Sequence, residues 1–425
     1  MLRAYQAVLT IILSAAIVAC GNGMMGTYVP IRLKEGGYGP EQVMIAVICF
    51  AAGMLASCLL SGYLIRRVGH IRAFAAFASI SGLVMLAMSW QISLEGWAGL
   101  RFVHGFTSNA IFMIVQSWLN ERTESRFRGQ IMAFFYVMYT LSYGGGALIL
   151  TGVDVTTTGP LMIGCALYLA AIVPMSTTRV EAPSLPSRIS IDLVKVYRLS
   201  PVGLVGAFVS GAVGMGLQGS GAVYAGLLGL APAAISLLMF STQAGNLVIQ
   251  WPLGFLSDRL DRRYVLVGTG LAVSALTIFI SGLSGETFLI LAIAFAALGG
   301  CSESIYSISA AHANDWADED DYVTLSSTIL IVWSVGALSG PIAITPLLGW
   351  LGPVGLPLYC GVVAAAFALF ALWRLTARAQ PPEADQEQFQ ALAPAPASTD
   401  LAWNEEETPE PVIESEPAIE SADKP

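Results

Sequence analysis

The chain has 425 residues, of which 55% are hydrophobic and only 12% are charged, with a formal net charge of −9. Soluble domains carry about 25% charged residues, so this composition excludes an ordinary soluble protein. The six cysteines stand singly in apolar segments, without the paired spacing of a zinc site or a disulfide framework. We therefore expect neither a metal nor a cofactor.

Twelve long apolar segments follow one another along the chain. A hydrocarbon core about 30 Å thick needs about 20 apolar residues in a helix, because lipid offers no partners to backbone N–H and C=O groups. The sequence thus predicts an all-α membrane protein with spans near residues 4–28, 40–65, 72–90, 97–120, 128–150, 159–176, 201–224, 232–256, 264–283, 287–311, 322–348 and 353–375.

A more polar connection after the sixth span divides the chain into two halves. The predicted units are a first six-helix half at 1–176, an inter-half loop at 177–199, a second half at 200–378 and a tail at 379–425. The tail has twelve acidic residues against Lys424 and few apolar ones. Such a segment cannot bury enough apolar surface to fold, so we expect it to be disordered.

The basic residues predict an orientation. Sixteen of the 20 Lys and Arg residues fall on the side of the N-terminus, whereas the opposite side receives only Arg32 and Lys34. Because cytoplasmic loops carry an excess of Lys and Arg, we expect both termini in the cytoplasm. The chain is then a multi-pass membrane protein, with the lipid bilayer as its surroundings and no nucleic-acid partner.

The ends of the second and eighth spans contain an internal repeat. Residues 62–72 and 254–263 align at a fixed offset, which pairs Gly62 with Gly254 and Arg67 with Arg259. A repeat at half-chain spacing is typical of transporters built from two related halves.

Both copies resemble the G-x-L-x-D-R-x-G-R-R loop of the major facilitator superfamily. The second copy keeps Asp258 and Arg259, and the first keeps Gly62, Arg67 and Gly69. The fourth span adds an R-x-x-x-G motif that begins at Arg101. The resemblance covers residues 1–378 and is closest to a little-characterised bacterial subgroup. It implies twelve helices in two pseudo-symmetric halves and a secondary transporter.

The first copy departs from the family at one position, where Arg66 replaces the aspartate. The resemblance implies that this aspartate meets the start of the eleventh span and stabilises one state of the gate. Here the connection entering that span is acidic, with Asp320 and Asp321. We expect a gate latch of reversed polarity. Loose surface ion pairing worth about 0–1 kcal/mol is the alternative.

Ionisable residues inside the spans are the main candidates for a functional site, because each is costly unless paired or hydrated. Glu303 lies in the middle of the tenth span. Arg101 lies one turn inside the fourth span, with His104 one turn further along the same face. The resemblance places these spans around a central cavity. Glu303 is interpreted as a proton-coupling carboxylate, and a fixed ion pair or a hydrogen-bonded acid joining two helices is the alternative.

Two of these residues also have a simpler interpretation. Arg101 could extend to the membrane interface, and His104 could be a hydrogen-bonded residue between helices. Neutral amides add further candidates for the cavity, namely Asn22, Asn109 and Gln218, although bonds between helices are their default role.

No motif of a nucleotide hydrolase, a metalloprotease or a serine hydrolase occurs in the sequence. We therefore predict no enzyme, but a secondary active transporter that moves a small solute by alternating access, coupled to protons and acting as a monomer. A transporter-like receptor or assembly protein acting through its acidic tail is the alternative. A cavity with one acid and one arginine leaves cations, zwitterions, sugars and organic anions open as substrates, and the direction of transport also stays open.

Overall fold

The computed structural model describes residues 2–90, 93–123, 125–177, 191–317 and 321–377, and all regular elements in these ranges are helical. The predicted acidic tail lies outside the described residues. The helices are α1 (Leu2–Glu35), α2 (Pro40–Val68), α3 (His70–Trp90), α4 (Leu94–Arg122), α5 (Ser125–Leu148), α6 (Gly159–Thr177), α7 (Leu193–Leu199), α8 (Pro201–Leu227), α9 (Pro232–Ser257), α10 (Arg262–Ser281), α11 (Phe288–Asn314), α12 (Tyr322–Leu351) and α13 (Gly355–Ala377).

Twelve of these helices are long, and the described chain holds eleven apolar stretches able to cross a membrane. The last stretch, Thr324–Thr376, includes both α12 and α13, which the short 3₁₀ turn Gly352–Val354 separates. The predicted all-α fold with twelve spans is confirmed. Helices α1–α6 are the first six spans, and α8–α13 are the seventh to the twelfth.

The short helix α7 was not anticipated from the sequence. It lies in the connection between the halves, where the Asp192 side chain caps it by accepting a hydrogen bond from the Lys195 backbone N–H at 2.8 Å. Its Val196 side chain is buried, and Lys195 forms an ion pair with Asp321. The connection is thereby attached to the start of α12. We call this end of the bundle the linker side and the opposite end the far side.

Within each half, helices cross so closely that their backbones touch. In the first half a side chain at Gly53 in α2 would overlap the Phe102 carbonyl oxygen, and one at Gly105 in α4 would overlap that of Phe50. Small residues allow such approaches in membrane proteins, where packing rather than the hydrophobic effect joins helices. The same relation recurs in both halves, through Gly53 and Gly105 (α2–α4), Gly23 and Gly146 (α1–α5), Gly245 and Gly300 (α9–α11), and Gly211 and Gly336 (α8–α12).

The two halves meet along α2 with α12 and α5 with α9. The Tyr136 hydroxyl in α5 donates to Asn246 Oδ1 in α9 at 3.0 Å, and Cys58 Sγ in α2 lies 3.4 Å from Ser334 Oγ in α12. On the far side, Lys34 Nζ at the end of α1 donates to the Gly226 carbonyl oxygen of α8 at 2.6 Å. The described contacts between the halves thus combine these polar bonds with apolar packing of α2 against α12, and they surround a central cavity.

The crossing of α2 and α4 yields a direct test. We expect Gly105→Ala to lower the free energy of unfolding by about 1–3 kcal/mol, because the added methyl group must push two backbones apart. Gly99→Ala is the matched control on the same helix, since nothing lies within 4 Å of a side chain at that position. The measurement is thermal unfolding of both variants in detergent. Equal midpoints would contradict the role of the crossing.

Candidate functional site

A cavity of about 120 Å³ lies between the two halves. Its charged lining residue is Glu303, and its amide-bearing residues are Asn22, Asn109, Gln218, Gln243 and Asn246. The lining comes from both halves, and most of the surface that it presents is apolar. A solute bound here would contact both halves at once.

Glu303 is held inside the bundle with little hydrogen bonding. Its side chain is 6% exposed, and Oε1 accepts one hydrogen bond, from Gln218 Nε2 at 3.1 Å. Its other carboxylate oxygen, Oε2, is buried and has no hydrogen-bond partner among the residues that the structure describes. An ionised carboxylate can accept several hydrogen bonds, so this one is far from satisfied by the protein alone.

Of the two residues predicted near Glu303, Gln218 and Arg101, only the first contacts it among the described residues. Gln218 in α8 is its hydrogen-bond partner, whereas Arg101 is not among the described residues that line the cavity. Arg101 stacks over the ring of Phe50, with the guanidinium carbon 4.1 Å from the ring centroid, and Phe50 itself lines the cavity. No described ion pair joins Arg101 to Glu303. The bond from Gln218 does join α8 to α11, so a hydrogen-bonded acid between two helices stays the alternative to a proton-coupling role for Glu303.

Arg101 is instead the first member of a hydrogen-bonded chain that crosses three helices. Its Nη1 lies 2.8 Å from His104 Nδ1, and His104 Nε2 lies 2.6 Å from the Tyr168 hydroxyl oxygen in α6. A guanidinium only donates hydrogen bonds, so Nδ1 accepts and the proton of the imidazole is on Nε2. Tyr168 accepts from Nε2 and therefore donates onward, to Asn22 Oδ1 at 2.6 Å.

This hydrogen-bonded chain ends at Asn22 in the cavity wall and determines which hydrogen-bonding groups of Asn22 remain for a ligand. Besides Tyr168, the Ser108 hydroxyl donates to the same Asn22 Oδ1 at 2.8 Å. Because the carbonyl oxygen accepts both bonds, the amide N–H groups remain for Tyr139 or for a ligand. His104 thus links helices, as its simpler interpretation expected, and it also positions a cavity residue.

Asn109, the remaining predicted candidate, lines the cavity from α4. Its amide group donates to the Met54 carbonyl oxygen at 3.2 Å, which holds it against α2. Sequence analysis missed the aromatic lining, which consists of Phe50, Phe112, Tyr136, Tyr139, Tyr143 and Trp333. The three tyrosines stand at helical spacing in α5, which was the available signal.

Comparison with known proteins identifies the family. The family model described as Major Facilitator Superfamily matches residues 11–230 and 203–413, which together span most of the chain. The chain belongs to the major facilitator superfamily. It is therefore a multi-pass membrane transporter and not an enzyme.

Two similar sequences are bacterial proteins of the same name. The chain is 27% identical over 320 residues to "Uncharacterized MFS-type transporter YcaD" of Escherichia fergusonii, covering 75% of this chain and 82% of that protein. It is 26% identical over 340 residues to the protein of the same name in Escherichia coli strain K12, covering 79% and 87%. These relatives support the predicted subgroup.

Solved structures share the fold at low sequence identity. The nucleoside transporter NupG superposes with a TM-score of 0.67 at 12% identity, covering 89% of this chain and 98% of that one. A bacterial homologue of the human lysosomal transporter Spinster, inward-facing and unoccupied, gives a TM-score of 0.66 at 15% identity, covering 89% and 99%. At such identity the likeness concerns the fold alone.

The first copy of the family loop lies at the linker side. Gly62 is buried at the end of α2, Arg66 and Arg67 are exposed, and Gly69 ends the helix with a φ of 86° that favours glycine. Asp320 lies outside the described residues, and Asp321 is bound to Lys195 of the linker. The latch between Arg66 and this acidic connection therefore stays a prediction.

The second copy carries a denser set of ion pairs. Arg262 at the start of α10 is buried, its Nε donates to Asp315 Oδ2 at 2.8 Å, and its Nη1 lies 3.6 Å from Asp258 Oδ1. Gly254 is buried, and Arg259 lies over the ring of Phe255. The loop is thus fastened to the end of α11 through Arg262 and Asp315.

Asp261 takes the place of the family's glycine and has a structural role there. Its side chain caps α10 by accepting a hydrogen bond from the Arg263 backbone N–H at 2.9 Å, and it pairs with the Arg263 guanidinium at 2.6 Å. Burial raises the pKa of Asp261, but the hydrogen bonds and charge of Arg263, together with His312, outweigh it and hold the pKa below the usual range.

The hydrogen-bonded chain through His104 can be tested by paired substitutions. We expect His104→Leu to lower the free energy of unfolding by about 1–3 kcal/mol, because Arg101 and Tyr168 lose a buried partner. Tyr168→Phe breaks the next link, so the two changes together should cost less than their sum, with a coupling of about 0.5–3 kcal/mol. His104→Gln is the conservative control. Additive effects in thermal unfolding would argue against the chain.

The cap at Asp261 predicts a dependence of stability on pH. Its pKa in the folded state is lower than in the unfolded state, so its contribution is complete above the ordinary aspartate pKa of about 3.9 and is lost as pH falls through the lower folded value. Asp261→Asn should therefore cost about 1–3 kcal/mol at neutral pH. The difference from wild type should shrink only below a pH of about 4.

The measurement is chemical unfolding of wild type, Asp261→Asn and the exposed control Glu286→Gln across this pH range. A difference that already narrows between neutral and mildly acidic pH would contradict the assignment.

Proposed function

We propose that the chain is a secondary transporter that moves a small solute by alternating access and couples the movement to protons, with Glu303 as the proton-binding group. The observation that supports this most is the environment of Glu303. It is the charged group of the described cavity lining and is buried. Within the described part of the chain it has one neutral hydrogen-bond donor and one oxygen without a partner.

The coupling follows from the cost of an unpaired buried charge. An ionised carboxylate inside a membrane protein is costly unless a partner or water compensates it. A proton or a cationic group of the solute removes that cost, and the two compete for the same oxygens. Binding of the solute releases the proton, and binding of the proton releases the solute. This links the transport of the two, because the cavity with an ionised Glu303 and no ligand is the state least able to close.

Alternating access requires contacts between the halves that can be exchanged at little cost. The polar cross-contacts that the structure describes suit this requirement, since they are single hydrogen bonds such as Tyr136 to Asn246 and Lys34 to Gly226. They stand beside apolar packing of α2 against α12, which has no directional bonds to break. The neutral bond contributes about 0.5–1.5 kcal/mol and the bond from the charged Lys34 about 1.5–3 kcal/mol, so neither locks the halves by itself. Opening the far side requires the bond between Lys34 and Gly226 to break.

The orientation belongs to the same proposal. The linker side faces the cytoplasm of a bacterial cell, since most basic residues of the chain lie in the connections on that side. The bilayer surrounds a monomer in which each half serves as the partner of the other. The receptor alternative depends on the acidic tail, which lies outside the described residues, and no observation favours it.

A titration tests the proton site without knowledge of the solute. We expect infrared difference spectra of the purified protein to contain a carboxyl band that changes with pH in wild type and is missing in Glu303→Gln. Glu286→Gln is the control, because that carboxylate is exposed. A spectrum of Glu303→Gln identical to that of wild type would show that Glu303 does not exchange protons, and the proposal would fail.

A further inference from the structure

The charges that line the cavity indicate the charge of its ligand. Glu303 is the charged residue of the described lining, whereas Arg101 lies over the ring of Phe50 and does not line the cavity. An anionic solute would meet an uncompensated carboxylate there, with no lining cation to pair with. The arrangement therefore disfavours organic anions and leaves cations and neutral solutes.

The polar groups of the wall distinguish further between these two classes. Several of them are already bonded within the protein, as with Asn22 Oδ1 to Tyr168 and Ser108, Asn109 to the Met54 carbonyl oxygen, and Asn246 to Tyr136. A polyhydroxylated solute needs many free donors and acceptors. Two buried atoms of the described lining have no hydrogen-bond partner, namely Glu303 Oε2 and Trp333 Nε1, and the first, an acceptor, suits an ammonium donor.

Aromatic rings complete the surroundings of such a donor. Tyr136 and Tyr143 lie close enough to Glu303 to interact with it electrostatically, and both line the cavity. Ring faces attract cations, and together with a carboxylate they form the usual environment of bound ammonium groups. Trp333 and Phe112 offer further apolar surface for the body of the solute.

Arg101 and Asn22 determine the direction in which the solute lies. One face of Phe50 is occupied by the Arg101 guanidinium, whose positive charge disfavours a second cation at that end. Asn22 at the same end offers N–H donors, because its carbonyl oxygen is fully used. An ammonium group is thus directed to Glu303, and a hydrogen-bond acceptor of the solute to Asn22.

We propose that the cavity binds a small, largely apolar primary amine in its cationic form, with the ammonium group at Glu303 between Tyr136 and Tyr143 and an acceptor oxygen near Asn22. This names the solute class and rests on the transport function proposed above. The amine and the proton then share one carboxylate, so that binding of the amine displaces the proton.

The test uses matched sets of probes. The amines are para-methoxybenzylamine, para-methoxyphenethylamine and para-methoxyphenylpropylamine, which carry an ammonium group, a ring and an ether oxygen. Each is compared with the carboxylate of the same length. Binding to the purified full chain is measured by calorimetry. We expect at least one amine to bind, and to bind about tenfold or more tighter than its carboxylate counterpart.

Variants then locate the ammonium group. Glu303→Gln should weaken amine binding about tenfold and remove the loss of affinity that wild type shows as pH falls, because amine and proton no longer compete. Tyr143→Leu should weaken it about threefold while leaving the fold intact. Glu286→Gln should bind like wild type. Thermal unfolding in the absence of ligand verifies that each variant is folded.

The outcomes separate this proposal from the one on proton coupling. If no amine binds folded wild type, if the carboxylates bind as tightly, or if Glu303→Gln leaves amine affinity unchanged, the amine proposal is overturned even when the infrared band titrates. If the amines bind through Glu303 but no carboxyl band titrates, proton coupling fails and the solute class stands.

Discussion

The close approach of helix backbones at glycine is the constraint on which the rest of this structure depends. Lipid gives no hydrophobic drive to join helices, so the pairs α2–α4, α1–α5, α9–α11 and α8–α12 are held by packing that only a missing side chain permits. Gly53 and Gly245 stand at the same offset as the loop glycines Gly62 and Gly254, which makes the crossings part of the internal repeat. These pairs place α1, α4, α8 and α11 around the cavity, and with them Asn22, Asn109, Gln218 and Glu303.

Within this helix packing, the two ionisable groups near the cavity, Arg101 and Glu303, lie in different surroundings. Arg101, His104, Tyr168 and Asn22 form a directed chain in which each member donates a hydrogen bond to the next. With the bond from Ser108, this hydrogen-bonded chain fixes the tautomer of His104 and the groups left on Asn22. Glu303 receives a single bond. A buried carboxylate left in this condition is costly to the fold, and a cost of this kind is typical of sites that bind a ligand or a proton. The separation of Arg101 from Glu303 leaves the carboxylate as the charged group of the described cavity lining, and this gives the cavity its chemical character.

The linker side shows how one loop motif can keep its place while its chemistry changes. In the second copy Asp261 replaces a glycine, and it caps α10 and pairs with Arg263. In the first copy Gly69 keeps the positive φ that its position requires. Between the halves, α7 joins the start of α12 through Lys195 and Asp321, so the connection is a structural element and not merely a tether. Movement of the second half relative to the linker must therefore act on this ion pair.

The sequence by itself determined the membrane class, the number of spans, the division into halves and the family, because these follow from local hydrophobicity, from the placement of charges and from a repeated motif. It also singled out Glu303 and Gln218, since an acid or an amide inside an apolar span is visible without a structure. Only the tertiary structure decided that Gln218 contacts Glu303, that Arg101 stands behind Phe50, and that three tyrosines of α5 face the cavity. The reason is physical. Hydropathy identifies which segments cross the membrane. The rotation of each helix about its axis and the choice of its neighbours depend on how all twelve helices pack. A charged residue in a span can therefore face either a ligand or another helix.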